Sequence, residues 1–166
     1  MSWQENKKWS DAFIPEIKRA LAGVLLCESP VEEDQERNTD LIVLRMEAKR
    51  VACRVRRLSY LHKFGDEFTI RATLPSGKKT ELAKVIEGFG DYIFYGFAGD
   101  DGTLMKWSIG DLNVFRLWFN SRIVNDGGTL PGRLMVNGDK SSCFRVFRWD
   151  QLPPHFVVNS FATGQP

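Results

Sequence analysis

Two carboxylates and a basic strand are the residues of this sequence whose types and spacing suit chemistry on a phosphate. Asp40 precedes the apolar run Leu41–Leu44, and Glu16 lies in a segment with helical periodicity. Arg54 and Arg56 alternate with apolar residues farther along the chain. Carboxylate oxygens hold Mg²⁺, whereas guanidinium groups bind phosphate oxygens in a bidentate fashion. These residues predict either a metal-assisted reaction or a phosphate-binding surface.

Positive charge is concentrated in the middle of the chain. The formal net charge is only +2, but residues 45–84 hold 11 basic and 4 acidic residues. Residues 1–44 hold 5 and 9, and residues 85–166 hold 7 and 8. A clustered basic segment suits a polyanion, because neutralised phosphates release condensed counterions. The alternative is a solvated sheet face whose charges interact with the acidic N-terminal block.

Seven basic residues of this segment are the candidate nucleic-acid contacts. They are Lys49, Arg50, Arg54, Arg56, Arg57, Arg71 and Lys84. Two of them have an ordinary ion pair as their alternative, Arg71 with Glu67 and Lys84 with Glu81. Surface pairs of this kind are common and contribute little stability.

The composition is that of a globular protein, with 43% apolar and 27% charged residues. The length fits one domain over residues 1–166. The apolar stretches Leu21–Cys27 and Tyr92–Ala98 are shorter than the roughly 20 residues of a membrane-spanning helix. The N-terminus has no apolar run of the signal-peptide type. We therefore expect a cytoplasmic protein that does not enter a membrane.

The cysteines and histidines give no sign of a metal centre. Cys27, Cys53 and Cys143 are widely spaced among apolar neighbours, which predicts buried free thiols. His62 and His155 are isolated as well, so no zinc-binding spacing is present.

The elements that must position these residues follow from periodicity and turn signals. We expect a helix from Ser10 to about Leu26, an antiparallel hairpin of Leu41–Arg45 with Val51–Arg57, a strand Glu67–Thr73, a helix Glu81–Glu87 capped by Thr80, a hairpin of Tyr92–Ala98 with Thr103–Trp107, a helix opened by Asp111, an exposed loop over residues 125–142 and a last strand Phe144–Trp149. The order is helix, three strands, helix, two strands, helix, strand. It predicts an α+β fold with a mixed central β-sheet flanked by helices.

This order of elements is similar to the core of the PD-(D/E)XK nuclease superfamily, the restriction-endonuclease-like fold, over roughly residues 10–120. The chain also looks like small uncharacterised phage and prophage proteins. That resemblance is carried by Thr39-Asp40-Leu41, by Cys53-Arg54-Val55-Arg56-Arg57 and by Glu67-Phe68-Thr69-Ile70-Arg71. It implies a degenerate form of the nuclease motif.

In that superfamily an aspartate and a second carboxylate hold Mg²⁺, and a lysine assists phosphodiester hydrolysis. The resemblance implies that Asp40 is a metal ligand and catalytic residue and that Glu16 is an accessory catalytic glutamate. A Glu-x-Lys sequence at residues 47–49 lies in the predicted turn, too soon after Asp40 to return beside it. The register places Arg54 and Arg56 there instead.

Arginine has no acceptor with which to ligate a cation. We therefore expect that the metal site is lost and that no cofactor is needed, with Mg²⁺ bound only if the protein is catalytic. Two alternatives stay open. In the first, Asp40 is a strand-start residue paired with Arg54 or Arg56. In the second, a displaced carboxylate such as Glu67 or Glu81 completes a variant metal site.

Three functions are compatible with these features. The leading hypothesis is a phage or mobile-element protein with a nuclease-like fold that binds nucleic acid, or a nucleic-acid-processing complex, through the basic hairpin and has lost catalysis. The alternatives are a magnesium-dependent DNA or RNA nuclease and a protein inhibitor of a host defence complex, similar to anti-CRISPR proteins. Trp3 and Trp9 further suggest a partner-binding edge near the N-terminus.

Overall fold

A computed structural model describes residues 5, 8–9, 11–28, 41–43, 49–74 and 76–163 of the protein. Side chains are described for these residues except for 21–28 and 41–43. The chain divides into two compact units, residues 1–49 and residues 50–166. The interpretation of the chain as a single domain stays a prediction.

The described part of the first unit includes a helix and a short antiparallel strand pair. Helix α1, Ile14–Leu25, begins close to the predicted position and carries Pro15 in its first turn, where no intrahelical N–H is required. The four-residue spacing of Phe13 and Ile17 places both side chains on one face, and both are buried. Strand β1, Leu26–Glu28, then pairs antiparallel with β2, Leu41–Val43.

The predicted pairing of the basic strand is wrong for the residues that the structure describes. Strand β3, Val51–Arg57, pairs in parallel with β5, Tyr92–Ala98, in a continuous register. β2 has β1 as its partner instead. Short separation in sequence favours a local hairpin, whereas a parallel pair needs a long crossover that leaves no local turn signal.

The basic strand belongs to a four-stranded mixed sheet with the order β3-β5-β6-β9. β6, Leu104–Asp111, forms the predicted hairpin with β5, and β9, Val157–Ala162, pairs with the other side of β6. β5 is buried along almost its whole length because it has a neighbour on each side. β9 is a strand that the sequence did not indicate.

A second sheet is antiparallel throughout, with the order β4-β8-β7. β4, Glu67–Thr73, has the predicted bounds, and β8, Cys143–Arg148, is the strand predicted near Phe144, although β9 follows it. β7, Arg133–Val136, lies inside the segment predicted as an exposed loop, and all four of its residues are exposed. Its lack of burial explains why apolar alternation did not reveal it.

Helices connect the two sheets. They are α2, Leu61–Phe64, which follows a 3-10 turn at Leu58–Tyr60, α3, Glu81–Ile86, and α4, Leu112–Asn125. The predicted caps are confirmed at α3 and α4. Thr80 Oγ1 accepts the N–H of Ala83 at 3.3 Å, and Asp111 Oδ1 accepts the N–H of Asn113 at 2.7 Å.

The core of the second unit is an aromatic cluster centred on Phe68. This side chain is fully buried. Its ring centroid lies 4.6 Å from Trp149, 5.4 Å from Phe147, 5.6 Å from Phe156 and 6.3 Å from Tyr95. Rings at these separations contribute packing energy beyond their buried area. The cluster therefore joins β4 to β5, β8 and the segment before β9.

The predicted α+β class with a mixed sheet and flanking helices is confirmed. The restriction-endonuclease-like core stays a prediction. In the parts of the chain that the structure covers, no helix has both the length and the apolar character needed to cross a membrane. Cys53 and Cys143 are free thiols as predicted, but neither is buried, since Cys53 on β3 is exposed and Cys143 on β8 is half-buried.

The contact between Gly110 and Phe156 yields a stability prediction. A Cβ at residue 110 would lie 2.7 and 2.9 Å from Cε2 and Cε1 of the Phe156 ring and closer still to Cζ. That ring is fully buried and cannot retreat without disturbing the core. We expect Gly110→Ala to lower the free energy of unfolding by roughly 1–3 kcal/mol in urea denaturation.

Gly138→Ala is the matched control, because a Cβ added at that residue would have no atom within 4 Å. It should change stability by no more than about 0.5 kcal/mol. Equal stability of the two variants would contradict the close packing of Phe156 on β6.

Candidate functional site

Arg54 is the centre of a polar network that joins β3, β4 and α3. Its Nη1 donates to the carbonyl oxygen of Thr69 at 2.9 Å and to Thr69 Oγ1 at 3.0 Å. Its Nη2 donates to Glu81 Oε2 at 2.7 Å. The same carboxylate oxygen accepts the backbone N–H of Arg71 at 3.1 Å. Arg54 is therefore a structural residue that connects three elements.

The network continues through two buried hydroxyl groups. Thr69 Oγ1 and Tyr95 Oη lie 3.3 Å apart, and the two residues are 7% and 2% exposed. Arg56, two residues after Arg54 and on the same face of β3, donates to Tyr95 Oη at 3.4 Å. Buried hydroxyl groups require hydrogen-bond partners, and the two arginines provide them. Arg54 and Arg56 thus lie on the same face of β3, where Arg54 makes internal contacts and Arg56 extends to the surface.

Arg56 also packs on an aromatic surface formed by the segment that follows β3. Its guanidinium carbon lies 4.7 Å from the ring centroid of Tyr60 and 5.7 Å from that of Phe64. Lys63 places its Nζ 5.4 Å from the Phe64 centroid. We call Arg56, Tyr60, Lys63 and Phe64 the Arg56 patch. Sequence reasoning missed Tyr60, Lys63 and Phe64, although an aromatic pair four residues apart after a basic strand was a visible signal.

The Arg56 patch is accessible to a ligand. Tyr60 is 44% exposed, and Lys63 is exposed as well. The rings of Tyr60 and Phe64 are 6.2 Å apart because their spacing places both on one side of the helical segment. Cations held over aromatic rings interact with the ring quadrupole and become partly ordered.

Two other candidate nucleic-acid contacts are engaged with carboxylates. The backbone N–H of Arg50 donates to Asp91 Oδ2 at 2.7 Å, and Arg50 Nε lies 3.6 Å from the same oxygen. Arg57 Nη1 donates to Asp100 Oδ1 at 3.0 Å, and the Asp100 side chain is 87% exposed. Exposed pairs of this type are weak and exchange readily with solvent.

The remaining candidates are distributed over different elements. Lys49 is exposed at the end of the first unit, and Lys84 is exposed on α3 in the second unit. Arg71 is half-buried on β4, and its backbone rather than its guanidinium meets Glu81. The predicted Arg71–Glu67 pair is wrong, since Glu67 lies 3.4 Å from Arg133. The six candidates of the second unit therefore lie on β3 or directly before it, on β4 and on α3.

The predicted metal site cannot be assembled from the described residues. Asp40 and Glu47 lie outside them, and Glu16 is half-buried on α1. Within the described part of the chain no three histidine, cysteine or carboxylate side chains converge on a common point. The catalytic and metal-binding roles of Asp40 and Glu16 stay predictions, and Mg²⁺ binding stays one with them.

A cavity of about 600 Å³ lies beside α2 in the second unit. Its lining includes Lys63, Lys106, Ser108, Arg148, Trp149 and Ser160. We call it the Lys106 cavity. The strand register relates this cavity to β3. Arg56 of β3 is paired with Phe97 of β5, and Phe97 is paired with Lys106 of β6. Arg56 and Lys106 therefore lie on the same face of the sheet, one on each side of β5.

Arg148 at this cavity is held by its neighbour Asp150. Its Nε donates to Oδ1 at 3.0 Å and its Nη2 donates to Oδ2 at 2.8 Å. These hydrogen bonds hold the pKa of Asp150 below its usual range. They also raise the pKa of Arg148. Both groups are open to water, so a stronger anion can displace the carboxylate at little cost.

In comparisons with known proteins, no family model matches this chain, and neither a curated protein nor a solved structure matches it. The resemblance to phage proteins and to the nuclease superfamily thus stays a prediction. Function has to be inferred from the geometry and charge of the site itself.

The Arg54 network yields a stability prediction. Arg54→Ala removes the ion-pair partner of Glu81 Oε2, which keeps only the backbone N–H of Arg71, and one partner of the buried Thr69 hydroxyl. We expect a loss of roughly 1–3 kcal/mol in the free energy of unfolding, the usual result of unpairing half-buried polar groups. Arg122→Ala is the control, because the Arg122–Asp126 pair is exposed. If both variants unfold at the same urea concentration, Arg54 does not hold the elements together.

The Arg148–Asp150 pair yields a prediction about pH. Arg148→Ala should raise the pKa of Asp150 to the ordinary carboxyl range, measured by NMR titration of its carboxyl carbon. Because the pKa is lowered in the folded protein, the pair stabilises the fold above the ordinary carboxyl pKa. That contribution is lost as the pH falls through the lowered value.

Asp139 is the internal control, since the hydrogen bond from Ser141 lowers its pKa independently of Arg148. The Asp139 titration should not change. An unchanged Asp150 titration in the same sample would contradict the assigned hydrogen bonds.

Proposed function

We propose that the protein binds single-stranded nucleic acid through the Arg56 patch, without cleaving it. The observation that carries this proposal is the guanidinium of Arg56 held 4.7 Å over the half-exposed ring of Tyr60, with exposed Lys63 beside it. Single strands expose both bases and phosphates. Aromatic rings stack on the bases, while lysine and arginine neutralise the phosphates.

The shape of the patch favours a single strand over a duplex. Base stacking requires unpaired bases, since in a duplex the faces of the bases are covered by their neighbours. α2 has four residues and is too short to enter a groove as a recognition helix. The half-exposed ring of Tyr60 can stack on a ligand that has an exposed π-face.

The charge distribution supports a polyanionic ligand. The patch lies in the segment with 11 basic and 4 acidic residues, which attracts phosphates over a distance set by the ionic strength. Arg50 and Arg57 belong to the same segment, and each forms an ion pair in which one partner is largely exposed. Affinity should therefore fall as the salt concentration rises.

Arg54 supports binding without cleavage. Its guanidinium is already bound by Thr69 and Glu81, and β3 does not form the hairpin whose register would align Arg54 with the nuclease carboxylate and lysine. A guanidinium cannot replace a metal ligand. In this proposal the protein has the degenerate form of the nuclease motif that the resemblance implies. The magnesium-dependent nuclease and the inhibitor of a host defence complex remain alternative predictions.

Substitutions in the patch test the proposal. Tyr60→Ala removes the stacking surface and should raise the dissociation constant for a short fluorescent single-stranded oligonucleotide by roughly tenfold or more, as loss of one stacked base predicts. Tyr60→Phe keeps the ring and should bind like the wild type. Lys63→Ala should reduce the slope of log affinity against log salt by about 0.7, the effect of one phosphate contact.

Lys78→Ala is the matched control for charge. Lys78 is exposed and follows the C-terminal end of β4, whereas Lys63 precedes the N-terminal end of that strand. Fluorescence anisotropy with DNA and RNA strands, and with the corresponding duplexes, gives the comparison. Salt-independent or undetectable binding of both single strands would overturn the proposal. Equal affinities of Tyr60→Ala, Tyr60→Phe and wild type would overturn it as well.

A further inference from the structure

We propose that the Lys106 cavity binds one nucleotide of the strand held at the Arg56 patch. The inference rests on the proposed function and specifies what the cavity takes: a base with its sugar and a single phosphate. A volume of about 600 Å³ lies in the range of small-ligand pockets. The free nucleotide and the same nucleotide within a strand share this chemistry.

Trp149 gives the cavity a rigid aromatic wall. Its ring lies 4.6 Å from the Phe68 centroid, and it stacks on Phe156 at 5.5 Å with an angle of 28° between the rings. Neighbours that are themselves fully buried fix its orientation. A wall that does not have to be ordered on binding costs a ligand less entropy. Leu61 and Val157 add apolar surface to the lining.

Two serine hydroxyl groups provide polar contacts beside that wall. Ser108 and Ser160 are directly paired across β6 and β9, so their side chains lie on one face of the sheet. Ser108 is two residues from Lys106 and shares that face with it. Among the residues that the structure describes, neither hydroxyl has a hydrogen-bond partner. They are free to pair with a sugar hydroxyl or with the edge of a base.

The charges at the cavity leave a surplus suited to one phosphate. Lys106 lies 3.2 Å from Asp66, Arg148 pairs with Asp150, and Glu67 is neutralised by Arg133 from β7. Lys63 is the further cation of the lining and has no carboxylate within ion-pair distance in the described chain. One positive charge is therefore left over, which matches a phosphodiester.

The existing ion pairs do not block such a ligand. The Asp66 side chain is 74% exposed and that of Asp150 is 63% exposed, so both carboxylates can turn into solvent. Exposed pairs contribute little energy, whereas a phosphate offers Lys106 and Arg148 stronger charge-assisted hydrogen bonds. An entering phosphate would thus release Asp150 and raise its pKa.

Continuity with the patch favours a nucleotide over an unrelated anion. α2 contributes Lys63 to both places, and the row Arg56, Phe97, Lys106 crosses the sheet from the patch to the cavity. Adjacent strands are about 4.8 Å apart, so the backbones of Arg56 and Lys106 are separated by about 10 Å. A strand stacked on Tyr60 therefore reaches the cavity with a neighbouring nucleotide.

Two probes test the inference on the full chain. The first is adenosine monophosphate, followed by saturation-transfer NMR and tryptophan fluorescence. The second is a single-stranded oligonucleotide with one 2-aminopurine, moved along the sequence in successive probes. We expect the free nucleotide to bind, and 2-aminopurine to change its fluorescence most at one position of the bound strand.

Variants of the cavity decide the outcome. Ser160→Trp places a bulky ring at an exposed position of the lining without disturbing the core, and Lys106→Met removes the phosphate contact. We expect Ser160→Trp to abolish nucleotide binding and Lys106→Met to weaken it about tenfold. Ser121→Trp, on an exposed face of α4, is the matched control. Circular dichroism and thermal melting confirm that each variant is folded.

The two proposals fail in different ways. If the oligonucleotide binds in a Tyr60-dependent manner while Ser160→Trp and Lys106→Met alter neither probe, the cavity inference is overturned and the proposed function stands. If the single strand does not bind but the nucleotide does, with loss in Ser160→Trp, the proposed function is overturned and the cavity still binds a nucleotide. Binding of neither probe overturns both.

Discussion

The guanidinium of Arg54 is the interaction on which the second unit depends. A half-buried cation requires several partners, and Arg54 finds them in Thr69 on β4 and Glu81 at the start of α3. It thereby fixes the edge strand β3 of the mixed sheet against the antiparallel sheet. The same contacts withdraw Arg54 from any ligand. The proposed binding surface is therefore formed around Arg56, which packs on the half-exposed ring of Tyr60.

Much of the local structure could be predicted from the sequence because its signals are local. The bounds of β4 and the caps of α3 and α4 follow from alternation and from Thr80 and Asp111. The pairing of β3 did not follow. Its partner β5 lies a whole crossover away, and nothing in either strand specifies a parallel neighbour. β7 was missed because its residues are exposed on both faces.

The candidate site was predicted in composition but not in arrangement. A run of arginines on one strand indicated phosphate binding, yet alternation alone could not separate an arginine with internal partners from one at the surface. The buried hydroxyl groups of Thr69 and Tyr95 distinguish the two kinds of arginine. Their burial depends on tertiary contacts. Tyr60, Lys63 and Phe64 became relevant only when the helical segment after β3 placed them around Arg56.

The division of roles between Arg54 and Arg56 can be measured directly by NMR of the arginine side-chain Nε–H groups during titration with a single-stranded oligonucleotide. We expect the Arg56 signal to shift with increasing ligand while the Arg54 signal, held by Thr69 and Glu81, stays in place. A shift of Arg54 with no change at Arg56 would contradict this division, since the buried network would then be the ligand-binding surface.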